Sequence, residues 1–358
     1  MSTFSAISLL GLQKSSRRAD DAGTMIKNKK KADLPLIRLS SINPFLRELA
    51  SRDVDPGQLL EDQGLPAQVP ASSDLFVSAL CMYAMVEQSA DLANDPYIGA
   101  TVGSKLDLLA WEPISQAAEA AVTVGDLLNR FVLHAREHSS SANYSLETAG
   151  SRATFAFKRV AEPHFEPAQN DAFYLGFVCR LMKGATGKAW DAESVLIALS
   201  EPSAAPPDFN EMRIVKGDRS GFRMSFPTEW LFERFEKSAF RRGIQQSSHL
   251  PTPRSLVESV HLAISPYIHE ENLTVERVAE LCGTGKRRLS EKLRARGTTI
   301  RNEIAFLRQE KATDALVNSD RRISRIAATV GFNDPTAFSR AFKNWTGQSP
   351  QQYRRNSQ

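Results

Sequence analysis

The fold is decided by a short pattern that the chain contains twice, LTVERVAELCGTGKRRLSEKLR from Leu273 to Arg294 and RISRIAATVGFNDPTAFSRAFK from Arg322 to Lys343. Each copy begins with a short amphipathic helix, continues through a glycine, and ends in a second helix with two apolar residues four positions apart. The apolar pairs are Leu289 with Leu293 and Phe338 with Phe342. The repeat predicts two helix-turn-helix units.

The helix ends of both copies carry residues that start and stop helices. Thr274 and Ser324 are of the type that caps a helix N-terminus, and Asp334–Pro335 combines such a cap with proline at the first helical position. Gly283 and Gly331 stand where the chain leaves the first helix, a place that favours the left-handed conformation and therefore glycine. These signals place a turn between the two helices of each unit.

The second helix of each unit presents a polar, mostly basic face opposite its apolar pair. Such a helix can enter the major groove of double-stranded DNA and meet base edges and phosphates. The predicted base-reading residues are Arg287, Ser290 and Glu291 for one half of the site and Thr336, Ser339 and Arg340 for the other. The predicted phosphate-binding residues are Lys286, Arg294 and Lys343. Two such helices in one chain could reach successive major grooves, ~34 Å apart.

The second unit and the residues after it resemble the DNA-binding domain of the AraC/XylS family of transcription regulators. The resemblance covers about the last hundred residues, and Ile300–Val317 matches that family's linker helix. Gly285 stands where the family usually has serine, and glycine caps a helix less well. The resemblance implies a sequence-specific regulator that binds promoter DNA and works with RNA polymerase. The matching residues are Ile323–Ala327, Gly331–Phe332, Asp334–Pro335, Phe338–Lys343, Trp345, Gly347, Ser349–Pro350 and Tyr353.

The charge distribution supports a DNA-binding C-terminal part. The chain of 358 residues carries a formal net charge of only +4. From Arg254 onward there are 18 lysines and arginines against 11 acidic residues, and the remainder holds 27 against 30. A basic part behind a near-neutral one is typical of a DNA-binding module joined to a second domain.

Cysteine usage and hydropathy argue against several other classes of protein. Cys81, Cys179 and Cys282 have the spacing neither of a zinc site nor of a disulfide framework. No apolar run approaches the ~20 residues of a membrane span. No phosphate-binding glycine loop, dinucleotide fingerprint or serine–histidine–aspartate arrangement is visible. We therefore expect a reduced, cytoplasmic protein that is not an enzyme, binds no cofactor or metal and has no membrane partner.

Composition divides the chain into four parts. Residues 1–33 form a serine-rich and then basic tail, which is either a disordered leader or an arm that touches DNA phosphates, and Met25 is an alternative start. Residues 36–237 form a regulatory domain that senses a ligand or pairs two copies in a homodimer. Residues 238–254 are a polar linker with several prolines, and residues 255–356 are the DNA-binding domain.

The pattern of residues 36–237 is that of an α+β domain, with helices first and then an antiparallel sheet that helices cover. The main predicted elements are helices over Ser72–Ala90, Pro167–Gly184 and Thr228–Phe235 and a hairpin of Asn143–Thr148 with Arg152–Val160. This order resembles the arabinose-binding type of N-terminal domain that one AraC subgroup carries. Asp107–Glu112 replaces the usual glycine-rich step of that domain. The resemblance implies a small-molecule effector of unspecified identity.

The regulatory domain carries many inward-facing aromatic residues, namely Phe155, Phe157, Phe173, Tyr174, Phe177, Phe222 and Phe226. Walls of this kind, with a few polar groups, can enclose a small ligand, and Arg180 and Lys183 could neutralise an acidic one. The same aromatics could instead fill the core while both basic side chains are solvated. We predict that a metabolite binds here and shifts the two domains between two arrangements.

A competing chemical signal lies at His134–His138, which spells H-x-x-E-H. On a helix, His134 and His138 would share a face and could hold zinc beside Glu137. A zinc-dependent hydrolase is therefore one alternative function, although patterns of five residues often arise by chance. An architectural DNA-binding protein that bends promoters without an effector is another. Nothing in the sequence distinguishes an activator from a repressor.

Overall fold

The computed structural model describes residues 34–65, 75–109, 111–138, 140–236 and 255–357. The predicted tail, residues 1–33, and the predicted linker, residues 238–254, lie outside the described residues. The described part consists of an N-terminal portion with helices and a sheet, followed by a C-terminal portion made of helices. This is the fold class that the sequence predicts.

The N-terminal portion begins with a helical layer and a two-stranded ribbon. Its elements are β1 (Leu36–Arg38), α1 (Asn43–Ala50), α2 (Gly57–Glu61), β2 (Phe76–Ser78), α3 (Ala79–Ala93), α4 (Ile98–Lys105) and α5 (Glu112–Ala120). The predicted helix Ser72–Ala90 is wrong at its start, because β2 pairs with β1 and the helix begins only at Ala79. Ser78 sets this boundary, since its backbone is extended and its hydroxyl accepts a hydrogen bond from the N–H of Cys81.

A five-stranded sheet and two long helices complete the N-terminal portion. The elements are α6 (Val124–His138), β3 (Ala142–Ala149), β4 (Arg152–Arg159), α7 (Ala168–Thr186), β5 (Leu196–Leu199), β6 (Arg213–Lys216) and β7 (Gly221–Pro227). The strand order is β3–β4–β7–β5–β6, and the predicted hairpin is present as β3 and β4. Neighbouring strands are antiparallel except β5 and β6, which run parallel.

The predicted closing helix Thr228–Phe235 is wrong beyond its first turn. The chain forms only a 3-10 turn over Thr228–Phe232. Glu233 is extended, with φ −59° and ψ 140°, and Arg234 forms an isolated antiparallel bridge with Thr123. The residues after Phe232 therefore pair with the segment before α6 and do not continue the predicted helix.

Helices α4 and α7 cross at very short range. Gly99 and Gly103 of α4 lie against the backbone of α7, and Gly176 of α7 lies against α4. A Cβ atom on Gly103 would overlap the carbonyl oxygen of Phe173. Only glycine allows this approach, so these residues fix the helical layer to the helix that packs on the sheet.

The C-terminal portion contains both predicted helix-turn-helix units. Its helices are α8 (Leu256–Ile264), α9 (Val275–Leu281), α10 (Lys286–Arg294), α11 (Ile300–Asn318), α12 (Ile323–Thr329), α13 (Pro335–Thr346) and α14 (Pro350–Ser357). Gly283 and Gly331 adopt the predicted left-handed conformation, with φ of 62° and 77°. Thr274 caps α9 as predicted. The prediction for Ser324 is wrong, because α12 already begins at Ile323 and no side chain caps it.

The two units rest on different apolar cores within the described residues. Leu289 of the first unit belongs to the same buried cluster as Leu36 of the N-terminal portion. Phe338 of the second unit belongs to a separate cluster. Helix α11 joins the two, since Ile304 lies in the first cluster and Leu316 in the second. The first unit is thus built into the N-terminal portion, and the second has a core of its own.

Candidate nucleic-acid interface

The first recognition helix, α10, follows directly from the turn at Gly283. Leu289 and Leu293 are fully buried and fix the inner face of the helix. Gly285 occupies the N-cap position with φ −76° and ψ 143°, and no side chain caps the helix there. Of the residues predicted to touch DNA on this helix, all are exposed except Ser290, which is half-buried. The helix therefore offers its polar face to solvent but begins without a side-chain cap.

Ion pairs organise the polar face of α10. The Lys286 Nζ atom lies 2.5 Å from Glu276 Oε1, and the Arg287 Nε atom lies 2.8 Å from Glu291 Oε1. The Arg287 side chain is 93% exposed. Pairs this exposed contribute little to stability, so both cations are available to contact DNA.

The second recognition helix, α13, has a complete N-terminal cap. The Asp334 carboxylate accepts hydrogen bonds from the backbone N–H groups of Thr336, at 2.8 Å, and Ala337, at 3.2 Å. The bond from the Thr336 N–H is the main cause that lowers the pKa of Asp334. Pro335 follows at the first helical position, as predicted. A capped start holds the N-terminal end of α13 in one conformation.

The outer face of α13 carries the remaining predicted DNA contacts. Thr336, Arg340 and Lys343 are exposed, and Ser339 is half-buried. The Ser339 hydroxyl donates a hydrogen bond to the carbonyl oxygen of Pro335 at 2.8 Å. Its oxygen lone pairs stay available as acceptors, which suits a contact with a base amino group.

Three polar side chains, whose contacts could not be predicted from the sequence, connect α11 and the second unit to the segment that precedes the first unit. Arg308 of α11 donates to the carbonyl oxygen of Glu270 at 2.7 Å and lies over the ring of Phe332 at 5.3 Å. Lys311 of α11 donates to the carbonyl oxygen of Ser265 at 2.7 Å, and burial lowers its pKa. The Asn333 amide donates to Glu271 Oε2 at 2.5 Å. The available signal was a pair of cations three residues apart on an otherwise apolar face of α11.

Sequence reasoning also assigned ligand-binding roles in the N-terminal portion. Arg180 and Lys183 are exposed on α7, and Arg180 Nη1 donates to the carbonyl oxygens of Ser104 and Leu106, both at 2.7 Å. The predicted aromatic residues pack against one another, and Phe157 stacks on Tyr174 at 4.1 Å. The structure therefore does not bring the two cations and the aromatic cluster together, and their role in ligand binding stays a prediction.

A buried polar cluster lies beside these aromatics. Arg159 forms an ion pair with Asp171, and both side chains are fully buried. Arg159 also donates to Asn170 Oδ1 at 2.6 Å and lies over the rings of Tyr83 and Phe157. A buried pair that is hydrogen-bonded in this way fixes the position of α7 against β4.

Two family models match the chain over both portions. The model of a helix-turn-helix domain matches residues 278–356. The model of the N-terminal arabinose-binding domain of AraC transcription regulators matches residues 54–214. The chain belongs to the AraC family of transcription regulators. It combines an N-terminal effector-binding domain with a C-terminal DNA-binding domain.

Individual members of the AraC family align with the chain to different extents. The HTH-type transcriptional regulator VirS of Mycobacterium tuberculosis is 21% identical over 341 residues, which cover 89% of this chain and 96% of that protein. The ornithine utilization regulator of Pseudomonas aeruginosa is 35% identical over 80 residues, 22% of this chain and 24% of that protein. The crystal structure of the transcriptional regulator CdpR from Pseudomonas aeruginosa matches with a TM-score of 0.34 and 15% identity, over 88% of this chain and 98% of that one.

The zinc-hydrolase alternative finds no support in an AraC-family chain. His134 lies on α6, whereas the side chains of Glu137 and His138 lie outside the described part. Among the described residues, no group of three histidine, cysteine, aspartate or glutamate side chains could hold a metal ion. None of the described helices is long and apolar enough to span a membrane.

Proposed function

We propose that the polar faces of α10 and α13 form the surface that contacts promoter DNA. The observation that supports this is common to both helices. Each buries its apolar pair, and the side chains predicted to contact DNA are exposed except for one half-buried serine on each helix. Helix α11 connects the two units. The two recognition helices can then lie in successive major grooves on one side of the duplex.

The two helices divide the work between base recognition and phosphate binding. Arg287 and Arg340 are placed to pair with guanine, a contact worth about 1–3 kcal/mol of discrimination. Glu291 already accepts a hydrogen bond from Arg287 and can accept another from cytosine. Lys286, Arg294 and Lys343 would bind phosphates, and their contribution would fall as the salt concentration rises.

The test is selection of duplexes from a random library by the full chain. We expect an enriched site with two halves about 10 base pairs apart, centre to centre. Arg340→Ala should relax the preference at one base pair and cost about 1–3 kcal/mol of affinity. Arg355→Ala, which removes an exposed arginine of α14, is the matched control. Failure to bind any selected duplex better than random DNA would end this proposal.

We further propose that a small molecule binds the N-terminal portion and changes DNA binding. The match to a family of effector-binding domains supports this. The test is a thermal-shift screen of cytoplasmic metabolites on the full chain, followed by DNA-binding measurements with each hit. A hit that raises the melting temperature and leaves DNA binding unchanged would contradict a sensory role. Arg180→Ala with Lys183→Ala asks whether these two cations bind the hit.

The remaining partners follow from the family and are also proposals. We propose that the protein acts in the cytoplasm, binds DNA as a homodimer and regulates transcription by RNA polymerase without being an enzyme. Sedimentation equilibrium with and without the selected duplex tests the dimer. A monomer at all concentrations, with one chain per duplex, would show that the two units of a single chain make up the whole DNA-binding surface.

A further inference from the structure

The N-terminal portion contacts the DNA-binding portion at the turn of the first helix-turn-helix unit. A Cβ atom on Gly283 would lie 3.3 Å from Ser78 Cβ and 3.7 Å from Leu80 Cδ1. Ser78 ends β2, and its hydroxyl caps α3. One short segment, Ser78–Leu80, therefore both begins a regulatory helix and touches the turn that leads into the first recognition helix.

A second contact of the same kind surrounds Arg277 of α9. Its guanidinium lies 5.4 Å from the Tyr267 ring centroid and 3.6 Å from Glu270 Oε1. A Cβ atom on Gly64, which follows α2, would lie 3.5 Å from Tyr267 Cε1 and 3.6 Å from Arg277 Nη2. Burial raises the pKa of the Cys81 thiol of α3 to about 11, and the neighbouring Arg277 and Tyr267 act in the opposite direction. The first unit therefore lies against the chain at Gly64, after α2, and against Cys81 of α3.

The contact is also apolar and continuous. A single buried cluster contains Leu36, Phe76 and Val77 of the ribbon together with Val260, Ile264, Tyr267, Val278 and Leu289 of the DNA-binding portion. Buried apolar surface of this kind has a preferred packing and resists gradual sliding. A change in the position of β2 and α3 would therefore be passed directly to α9 and α10.

The second unit has no such contact among the described residues. Its buried cluster draws only on α11, α12, the turn after α12, and α13, with Tyr353 of α14 packed against it. The second unit contacts the segment before the first unit through polar groups: Asn333 donates to Glu271, and Arg308, which lies over the ring of Phe332, donates to the carbonyl oxygen of Glu270. Among the described residues, the buried cluster that includes the ribbon therefore reaches the first unit and the beginning of α11, Ile300 to Leu307, but not α12 or α13.

The first recognition helix is also the one with the weaker start. Gly285 supplies no side-chain cap to α10, whereas Asp334 supplies two hydrogen bonds to α13. The conformation at the start of α10 consequently depends more on how the preceding turn is packed. That turn contains Gly283, and the atoms nearest to a Cβ atom placed there belong to Ser78 and Leu80.

We propose that the regulatory domain controls DNA binding through the first helix-turn-helix unit alone, with the Ser78–Leu80 segment holding the turn at Gly283. The second unit supplies affinity that the regulatory domain does not adjust. An effector would change transcription by moving this segment and so altering the readout of one half of the DNA site. This inference rests on the proposed function, because it requires that α10 and α13 read separate halves of one site.

The experiment uses the full chain and a duplex selected by the wild type, with two derivatives in which one half-site is randomised. Arg287→Ala and Arg340→Ala show which half each unit reads. We expect Leu80→Ala to weaken binding through the half-site of the first unit about tenfold, within the usual range of coupling between sites. Binding to the derivative that keeps only the other half-site should stay unchanged.

Two further variants make the test specific. Leu92→Ala changes another half-buried leucine of the same helix, ~18 Å further along its axis, and should alter neither half-site. Gly285→Ser should restore most of the affinity lost in Leu80→Ala, because serine supplies the missing cap. The milder Leu80→Met should weaken binding through the same half-site by a smaller factor. Because this variant removes less buried surface, the result would not be explained by a general loss of folding.

The outcomes separate this inference from the proposed function. If the wild type selects no duplex, the proposed function fails and the inference with it. If the wild type selects a two-part site and Leu80→Ala weakens both halves equally, or neither, then control of the first unit alone is refuted. The same conclusion follows if Leu92→Ala reproduces the effect, or if Gly285→Ser does not rescue it.

Discussion

Gly331 of the second helix-turn-helix unit leaves no room for a Cβ atom. It adopts φ 77°, and a Cβ atom there would lie 2.5 Å from Arg308 Nη2 and 2.8 Å from the carbonyl oxygen of Glu270. Gly331→Ala should therefore cost about 1–2 kcal/mol of backbone strain and, in addition, displace the Arg308 guanidinium. Urea denaturation measures the loss.

Gly297→Ala is the matched control for this prediction. Gly297 also has φ 77°, but nothing lies within 4 Å of the place where its Cβ atom would be. It should show the backbone strain alone, so the difference between the two variants reports the contacts with Arg308 and with the Glu270 carbonyl oxygen. Equal losses of stability in both variants would mean that both groups move aside freely and that these contacts do not stabilise the domain.

Glu87 makes the stability of the N-terminal portion depend on pH. Its carboxylate accepts hydrogen bonds from the N–H groups of Gln169 and Asn170 at the start of α7, yet burial raises its pKa from 4.5 to about 7. Because the folded state binds the proton more tightly, this stability is fully present below pH 4.5 and is lost as pH rises through about 7. The loss is at most about 3 kcal/mol.

The measurement for Glu87 is urea denaturation at pH 5 and pH 7.5. The wild type should be less stable at pH 7.5, and Glu87→Gln, which cannot ionise, should flatten that difference. Neighbouring Asp171 and Arg159 stay unchanged in both proteins. An identical pH dependence in wild type and variant would place the titrating group elsewhere.

At the scale of elements, the two recognition helices differ in how they begin. Asp334 caps α13 with two backbone hydrogen bonds. Asp334→Ala should lower the melting temperature and weaken binding through the second half-site, whereas Asp334→Asn should retain most of both, since asparagine caps as well as aspartate. Circular dichroism melts and binding to the half-site duplexes measure the two effects. Equal behaviour of the alanine and asparagine variants would show that the cap is not what orders α13.

Some boundaries of helices and turns could be predicted from single residues, and others could not. Gly283, Gly331 and Asp334 mark the turns and the capped start correctly, because each reflects a local backbone demand that few other residues meet. The ribbon of β1 and β2 was missed, because three-residue strands are too short to show a period of two. The start of α12 was missed because Ser324 looks like a cap, although Ile323 already belongs to the helix.

The exposed face of each recognition helix could be predicted from the sequence, whereas the surroundings of the predicted ligand contacts could not. Helical spacing alone placed Arg287 and Arg340 opposite buried apolar pairs, so the exposed faces of α10 and α13 could be predicted. Arg180 and Lys183 had no such constraint. Their location on the outside of α7, where Arg180 bonds to the end of α4, depends on the crossing at Gly103 and Gly176. Contacts between distant segments leave little trace in a single sequence.

At the scale of the whole molecule, the arrangement of the two cores matters most. The apolar stripe of α8, with Leu256 and Val260, predicted a buried face but did not identify its partner. The partner includes Leu36 and Phe76 of the ribbon, more than a hundred residues earlier in the chain. The packing of the two portions against each other could therefore not be predicted from the sequence.

The separation of the cores predicts that the second unit opens independently. Its cluster is the smaller one and is not reinforced by the N-terminal portion within the described residues. Local opening requires less free energy where fewer buried apolar contacts must be broken. We expect backbone amides of α12 and α13 to exchange with solvent through an opening of lower free energy than those of α8 and α9. Native-state hydrogen exchange at increasing urea concentration measures both values.

The comparison is internal to one protein, so helices of the first unit serve as the control. If both groups of amides showed the same free energy of opening at all urea concentrations, the two cores would unfold together through α11. In that case a change at the N-terminal portion would reach both halves of the DNA site. The second unit could instead open at lower free energy while α8 and α9 exchange together with β2 and α3. The second unit would then open independently of the N-terminal portion, as control of a single half-site requires.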